Sequence, residues 1–243
     1  MACTEVIERL PEEVKIVANF SVGFDHVDIE AAKKRGLVVT NTPDVLSDAT
    51  AELTMMLMIG AARRAGEGEK LVRTGEWKDW SPAFMVGTQV TGKRLGILGL
   101  GRVGQVTARR ARGFDMEIHY HDVRRVPPEL EEGAIYHETL EDMLPLCDFL
   151  SIHCNATPET TGLMNAERFA LLSDGAIFVN AARGAIHVDD DLIEALQSGR
   201  LKAAGIDMTK EDPILLTISV TEDEIRGIGG ENIDGAYACM KYF

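Results

Sequence analysis

The chain has 243 residues, of which 45% are hydrophobic, so it is long enough to bury a substantial hydrophobic core. Lys and Arg number 25 against 39 Asp and Glu, which gives a formal net charge of −14 at pH 7. This acidity argues against a nucleic acid or a membrane surface as the partner, because both are bound by basic surfaces. The four cysteines show no CxxC pairing, which favours reduced thiols over a metal site or a disulfide framework.

We expect no targeting or membrane segment at the start of the sequence. Its longest uncharged apolar stretch covers residues 53–62, well short of the roughly 20 residues that cross a bilayer. The first fifteen residues carry acids where a secretory signal would carry a basic region and then an apolar run. We therefore expect a cytoplasmic protein.

The first part of the chain alternates apolar runs with helical patterns. The predicted elements are a strand over 14–19, a helix over 28–36, a strand over 37–41 and a long apolar helix from about 47 to 64. Pro43 marks a turn or hinge before the long helix, and Ser47 or Asp48 is placed to cap it. A polar stretch with two tryptophans then leads to Gly92.

From residue 94 onward, five apolar strands alternate with helices. The strands are predicted at 94–100, 116–121, 148–153, 176–181 and 203–208, and the helices at 102–113, 140–146, 166–172 and 189–198. This alternation is typical of a parallel sheet covered on both faces. The sequence therefore predicts an α/β fold with a doubly wound parallel sheet. After Pro213 no further pair of strand and helix is evident.

A glycine-rich turn, GLGRVG, joins the first of these strands to the helix that follows. Gly99 permits the tight turn, Gly101 lets the backbone approach a pyrophosphate, and Gly104 lets the helix pack on the strand. Arg102 and Val103 lie between them at the helix N-terminus, which supplies N–H groups and a positive dipole end. The flanking strand and helix favour dinucleotide binding over an accidental glycine-rich turn.

An acidic residue, Asp122, ends the next strand. A carboxylate there accepts hydrogen bonds from the ribose 2′-hydroxyl and repels a 2′-phosphate. Arg124 and Arg125 follow closely, either as a solvated charge cluster or as partners of such a phosphate. The sequence therefore favours NAD, with NADP as the alternative.

Several strings occur together in the order and spacing of one family. They are SVGFDHVD, VVTNTPDVLSDATAEL, LGILGLGRVGQ, DFLSIHCNATPETTGLMN, FVNAARGAI and AAGIDM. Over about residues 10–213 the chain resembles the D-isomer-specific 2-hydroxyacid dehydrogenases, and within them the glyoxylate and hydroxypyruvate reductases. The resemblance implies an NAD-binding Rossmann domain inserted into a flavodoxin-like substrate domain, a homodimer, and a small 2-oxo or 2-hydroxy acid as substrate.

The resemblance also implies a division of the chain into three segments. Residues 1–44 correspond to part of the substrate lobe and 45–212 to the dinucleotide-binding domain. Residues 213–243 correspond to a degenerate C-terminal segment that returns to the substrate lobe. We therefore expect a chain that is truncated relative to the family.

Site residues follow from the same resemblance. Arg183 stands where the family keeps the arginine that holds the substrate, and a guanidinium binds a carboxylate in bidentate fashion. Val22 and Gly23 occupy the loop whose backbone N–H groups contact the substrate carboxylate in the family, with a simple glycine turn after a strand as the alternative. Asp207 ends the last strand, beside the nicotinamide carboxamide.

Further cofactor contacts are implied around the third and fourth strands of this sheet. His153, Cys154 and Thr157 fall in the stretch beside the adenosine and nicotinamide, and Ala181 and Ala182 join them. For His153, a ring satisfied by backbone at the strand end is an equal alternative.

Two positions depart from the family pattern. Where the family has a glutamate that orients the catalytic histidine, this chain has Asp212, with Glu211 beside it. The family carries that histidine in an LTPHIGSAT-like motif, but residues 216–222 read LTISVTE and no histidine follows Asp212. His187 is interpreted as a local substitution rather than as a relocated acid.

The expected function is an NAD-dependent oxidoreductase acting on 2-hydroxy acids, with weak or absent turnover. Loss of a general acid typically costs roughly 10² to 10⁴ in rate. The alternative is a non-catalytic NAD-binding interaction protein or an inactive remnant. The missing histidine favours the alternative, whereas Arg183 and the Val22–Gly23 loop favour the enzyme. No metal is expected.

Overall fold

A computed structural model describes residues 4–207 and the backbone of residues 217 and 218. The chain divides into two compact units between Ala49 and Thr50. The elements described before this division are α1 (Thr4–Arg9), β1 (Ile16–Ala18), α2 (Ile29–Lys34) and β2 (Val38–Thr40), and α3 (Ser47–Ala62) spans it. None of the described helices is long and apolar enough to cross a membrane.

The first unit holds a small apolar core beside a two-stranded parallel sheet. Strands β1 and β2 pair directly, from Ile16 with Val38 to Ala18 with Thr40. Asp28 begins the predicted helix, since its side chain accepts a hydrogen bond from the backbone N–H of Ala31. The core residues are Ile7, Val27, Ala31, Ala32 and Leu37.

The second unit is built around a seven-stranded sheet. Its strands are β3 (Arg94–Leu98), β4 (Glu117–His121), β5 (Ile135–Tyr136), β6 (Phe149–Ile152), β7 (Ala176–Asn180), β8 (Leu201–Ile206) and β9 (Thr217–Ile218). They lie in the order β5-β4-β3-β6-β7-β8-β9, and all pair in parallel except β8 with β9. The chain steps outward from β3 to β5 and then restarts on the other side of β3. A topological switch point therefore lies between β3 and β6.

Two hydrophobic cores cover the two faces of this sheet. Along β7, Ala176 and Phe178 belong to one core, whereas Ile177 and Val179 belong to the other. Alternate residues of a strand point to opposite faces, so β7 is buried on both sides. The predicted doubly wound parallel α/β fold is confirmed. The helices of this unit after α3 are α4 (Ala65–Thr74), α5 (Arg102–Arg112), α6 (Pro128–Glu131), α7 (Leu140–Met143), α8 (Ala166–Leu171) and α9 (Asp189–Gln197).

The sequence pattern predicts neither α1 nor α6, and the structure differs from the predicted elements in three further places. The polar stretch after Arg64 contains α4, a helix that buries no residue and in which glycines and charged side chains outnumber the apolar ones. The helix predicted over 140–146 ends at Met143 and continues as a 3₁₀ turn that contains Pro145. Strands β5 and β9 have two residues each, too few to show a pattern of alternation.

Candidate functional site

The predicted cofactor residues of the second unit gather at one edge of the large sheet. Parallel strands end at the same edge, and this edge is where ligands bind in open α/β sheets. The glycine turn follows β3, Asp122 follows β4, His153 follows β6, Ala181 follows β7 and Asp207 follows β8. The fold therefore brings together residues that are more than 100 positions apart in the chain.

Two glycines of the turn are required by the packing of the protein itself. Gly99 has φ +96°, and a Cβ there would lie 2.8 Å from the backbone nitrogen of Cys154. At Gly104 a Cβ would lie 2.2 Å from the carbonyl oxygen of Gly99. The first glycine thus allows a tight turn against the end of β6, and the third allows α5 to pack on the turn.

Gly101 has no such explanation within the protein. It is exposed at the N-cap of α5 with φ −74°, and a Cβ there would meet no protein atom within 4 Å. A side chain would instead enter the space before the helix N-terminus. The first turn of α5 carries no acidic residue, so no side chain of the helix neutralises the positive end of its dipole. The last turn, at the negative end, carries three arginines.

Asp122 ties the glycine turn to β4. Its Oδ2 accepts a hydrogen bond from the backbone N–H of Leu100 at 2.8 Å. The other oxygen, Oδ1, receives no hydrogen bond from the residues that the structure describes. A carboxylate accepts about four hydrogen bonds, so Asp122 retains the capacity to bind a ribose hydroxyl.

His153 and Cys154 lie where β6 meets the glycine turn. The backbone N–H of His153 donates to the carbonyl of Leu98 at 2.8 Å, and its Nε2 lies 2.8 Å from the buried Ser151 Oγ. His153 as a whole is partly exposed, and burial of its side chain lowers the pKa of His153 to about 4. Burial also raises the pKa of Cys154 to about 11. Near pH 7 this pair is therefore a neutral imidazole and a thiol.

Arg183 sits on a turn that Asn180 organises. Asn180 Oδ1 accepts from the N–H of Ala182 at 3.0 Å, and its Nδ2 donates to the carbonyl of Arg183 at 2.9 Å. Arg183 Nη1 donates to the Ala182 carbonyl at 2.7 Å. Sequence reasoning missed Asn180, although a buried asparagine directly before a turn is a signal for such a role.

His187 supports the same turn from the side. It is 2% exposed, with Nδ1 2.9 Å from Asn180 Nδ2 and Nε2 3.0 Å from Asp189 Oδ1. Because an amide nitrogen only donates, Nδ1 is the acceptor and Nε2 carries the proton. These contacts agree with the interpretation of His187 as a local structural residue.

Asp207 presents a partly buried carboxyl group. Its backbone N–H donates to the Asn180 carbonyl at 3.0 Å, and burial raises the pKa of its side chain. Among the residues of known placement, none donates a hydrogen bond to this carboxyl. Asp212 and Glu211 lie outside the described residues.

The remaining predicted residues lie on loops. In the first unit, Asn41 Nδ2 donates to the Val22 carbonyl and Asn19 Nδ2 donates to the Gly23 carbonyl, each at 2.9 Å. In the second unit, the N–H of the exposed Thr157 donates to a neighbouring threonine hydroxyl at 2.7 Å. The described residues include no group of three or more His, Cys, Asp or Glu placed to hold a metal ion.

This fold and site define a dinucleotide-binding α/β protein. Residues 55–222 match the model of the D-isomer specific 2-hydroxyacid dehydrogenase, NAD binding domain. The chain therefore belongs to the D-isomer specific 2-hydroxyacid dehydrogenase family, as the sequence motifs predict.

Known relatives agree with this assignment. The chain is 44% identical to glycerate dehydrogenase of Hyphomicrobium methylovorum, over 86% of this chain and 66% of that protein. It is 45% identical to glyoxylate reductase of Pyrococcus horikoshii, over 86% of this chain and 64% of that protein. The crystal structure of a glyoxylate reductase from Paecilomyes thermophila superposes with a TM-score of 0.81 at 35% identity, covering 92% of this chain and 65% of that one. The chain thus spans just under two thirds of the length of these relatives.

Proposed function

We propose that this chain binds NAD(H) at the carboxyl edge of the large sheet, with the pyrophosphate before the N-terminus of α5. The observation that carries the proposal is Gly101. Protein packing accounts for the glycines at 99 and 104, but nothing in the protein fills the space that a side chain at 101 would enter. A cofactor whose phosphates approach the backbone explains that glycine, and the uncompensated helix dipole supports the same ligand.

Three further residues fit the rest of the dinucleotide. The free oxygen of Asp122 would accept from a ribose hydroxyl, which supports NAD over NADP. The Asp207 carboxyl, raised in pKa and without a donor among the described residues, would accept from the nicotinamide carboxamide. The neutral, partly exposed edge formed by His153 with Cys154 and Thr157 would line the cofactor.

We propose further that the reaction is the reduction of a small 2-oxo acid, or the reverse oxidation of a 2-hydroxy acid. The bound cofactor supplies or accepts the hydride. Arg183, held by Asn180, would bind the substrate carboxylate. A substrate contact through the backbone N–H groups of Val22 and Gly23 is a separate proposal that rests on the family resemblance. The names of the relatives, glyoxylate reductase and glycerate dehydrogenase, support this substrate class.

The same proposal assigns a role to each segment of the chain and an oligomeric state to the protein. Residues 1–44 and 213–243 would contribute to the substrate lobe, residues 45–212 would hold the cofactor, and two copies would form a homodimer. Asp212 would take the place of the family's glutamate.

Slow turnover is expected because residues 216–222 read LTISVTE where the family carries its catalytic histidine, and so offer no imidazole to protonate the substrate oxygen. The same observation favours the second candidate, a non-catalytic NAD-binding module. The two candidates differ in whether a 2-oxo acid causes oxidation of bound NADH.

The test is NADH oxidation with glyoxylate or hydroxypyruvate, run beside the glyoxylate reductase of Pyrococcus horikoshii. We expect a rate roughly 10² to 10⁴ below that of the relative. Arg183→Gln should abolish the remaining rate yet still bind NADH, whereas the matched charge change Arg109→Gln on the exposed side of α5 should leave it unchanged.

Three outcomes separate the alternatives. A wild-type rate equal to that of the relative would show that another group replaces the histidine. Residual oxidation that survives Arg183→Gln would contradict the role of Arg183. Saturable NADH binding without any oxidation dependent on a 2-oxo acid would favour the binding module.

A further inference from the structure

The two arginines after Asp122 have different environments. Arg124 is exposed, and in the described part of the chain it has no hydrogen-bond or ion-pair partner. Arg125 instead makes a bidentate contact with Glu131, from Nε to Oε1 at 2.7 Å and from Nη2 to Oε2 at 3.0 Å. Its guanidinium carbon also lies 5.7 Å from the ring centroid of Tyr136. Of the two side chains that could pair with a 2′-phosphate, Arg125 is therefore already engaged.

Glu131, the partner of Arg125, is held in place by a hydrogen bond from a buried side chain. Glu131, at the end of α6, is 8% exposed, and its Oε1 also accepts from the hydroxyl of the fully buried Tyr120 at 2.7 Å. The Tyr120 oxygen in turn accepts from the backbone N–H of Val126 at 3.3 Å. The hydrogen bonds of Arg125 and Tyr120 lower the pKa of Glu131 to about 2. The carboxylate is therefore charged, and holds Arg125, throughout the physiological pH range.

We propose that Glu131 is a specificity-determining residue of the cofactor site, because it withholds Arg125 from the 2′-position of the ribose and so disfavours NADP. The inference rests on the proposed NAD(H) site and adds a second determinant to it. Asp122 repels a 2′-phosphate directly, whereas Glu131 removes a cation that would compensate for that repulsion. The edge of the guanidinium formed by Nε and Nη2, which would bind a phosphate in bidentate fashion, is the edge that Glu131 uses.

Glu131→Gln tests the proposal with little change in shape. The glutamine oxygen retains an acceptor for the Tyr120 hydroxyl and for Arg125 Nε, but its amide NH₂ faces Nη2 donor to donor. The charge of the pair and one of its two hydrogen bonds are lost, so Arg125 is held less tightly and becomes available to a phosphate. We expect the Kd for NADPH to fall about tenfold, the effect of one additional charge-assisted hydrogen bond, and the Kd for NADH to stay within about twofold. The preference for NADH should shrink rather than reverse, because Asp122 remains.

A matched control lies next in the chain. Glu132 is exposed and pairs with Arg112 at 3.0 Å, so Glu132→Gln makes the same charge change without touching Arg125. It should leave the ratio of the two Kd values unchanged. In the double variants, Glu131→Gln with Arg125→Gln should lose the increase in NADPH affinity, whereas Glu131→Gln with Arg124→Gln should keep most of it.

A merely structural role for Glu131 would weaken both cofactors alike and would not produce an increase in NADPH affinity that depends on Arg125. An unchanged ratio in Glu131→Gln with NADH still bound would overturn the inference alone. Arg125→Gln in the otherwise wild-type chain is an independent check, because a withheld arginine predicts no loss of NADPH affinity, and a loss of about tenfold would contradict it. Absence of NADH binding by the wild type would instead overturn the proposed function, and this inference with it.

Discussion

His153 shows how burial sets the charge of a residue at the cofactor edge. The ring pairs with Ser151, and its pKa of about 4 keeps it neutral near pH 7. It therefore adds no positive charge next to the glycine turn. In the proposed site, the attraction for a pyrophosphate would come from the N-terminus of α5 and its backbone N–H groups.

This pKa predicts a dependence of stability on pH. An unfolded histidine titrates near 6.5, so between pH 6.5 and about 4 the unfolded chain binds more protons at His153 than the folded chain does. The free energy of unfolding should fall as the pH drops through this window. Between pH 7 and pH 4, the free energy of unfolding of His153→Gln should fall by about 2–3 kcal/mol less than that of the wild type, as measured by urea unfolding. Equal losses in both proteins would contradict the burial of this ring.

Some site residues are predictable from sequence because their signal is local. Gly101 and Asp122 stand at fixed positions in a motif between a strand and a helix, and the structure places both at the carboxyl edge of the sheet. The pairing of Arg125 with Glu131 could not be predicted, because it requires α6 to fold back under Tyr120. The hydrogen bonds of Asn180 to the turn that carries Arg183 could not be predicted either, because they form only once that turn has folded.

At the scale of elements, the hydrophobic pattern predicts the strands and helices that pack in a core and misses those that remain exposed. The strands β3, β6 and β7 are buried almost throughout, so their apolar runs are continuous and easily recognised. Helix α4 buries none of its residues, so its few apolar side chains do not pack in a core. Just beyond α4, Trp80 is 76% exposed, and on α4 itself Val72 is 62% exposed.

Exposed apolar side chains in and after α4 support the proposed homodimer at this surface. We expect sedimentation equilibrium to give twice the chain mass of 26.6 kDa. Trp80→Lys should shift the protein toward the monomer, because it places a charge in the proposed interface, whereas Val123→Lys at another exposed apolar side chain should not. A monomer at micromolar concentration in the wild type would contradict the proposal.

At the scale of the whole molecule, a net charge of −14 coexists with a site for an anionic cofactor. Long-range attraction to a pyrophosphate is therefore not expected, and binding depends on local features of one edge of the sheet. The matched family domain, residues 55–222, contains that whole edge. Cofactor binding is thus the property that the described structure supports most directly, and turnover depends in addition on the substrate lobe.

The most direct test is a fluorescence titration of NADH against the wild type and Gly101→Ser. Serine is a favoured N-cap residue, so the variant should keep its unfolding midpoint within about 2 °C, yet its side chain would occupy the space before α5. We predict saturable binding by the wild type and a Kd at least about tenfold weaker in the folded variant. No saturable binding by the wild type, or equal affinity in the two proteins, would contradict the central claim that this glycine turn holds the cofactor.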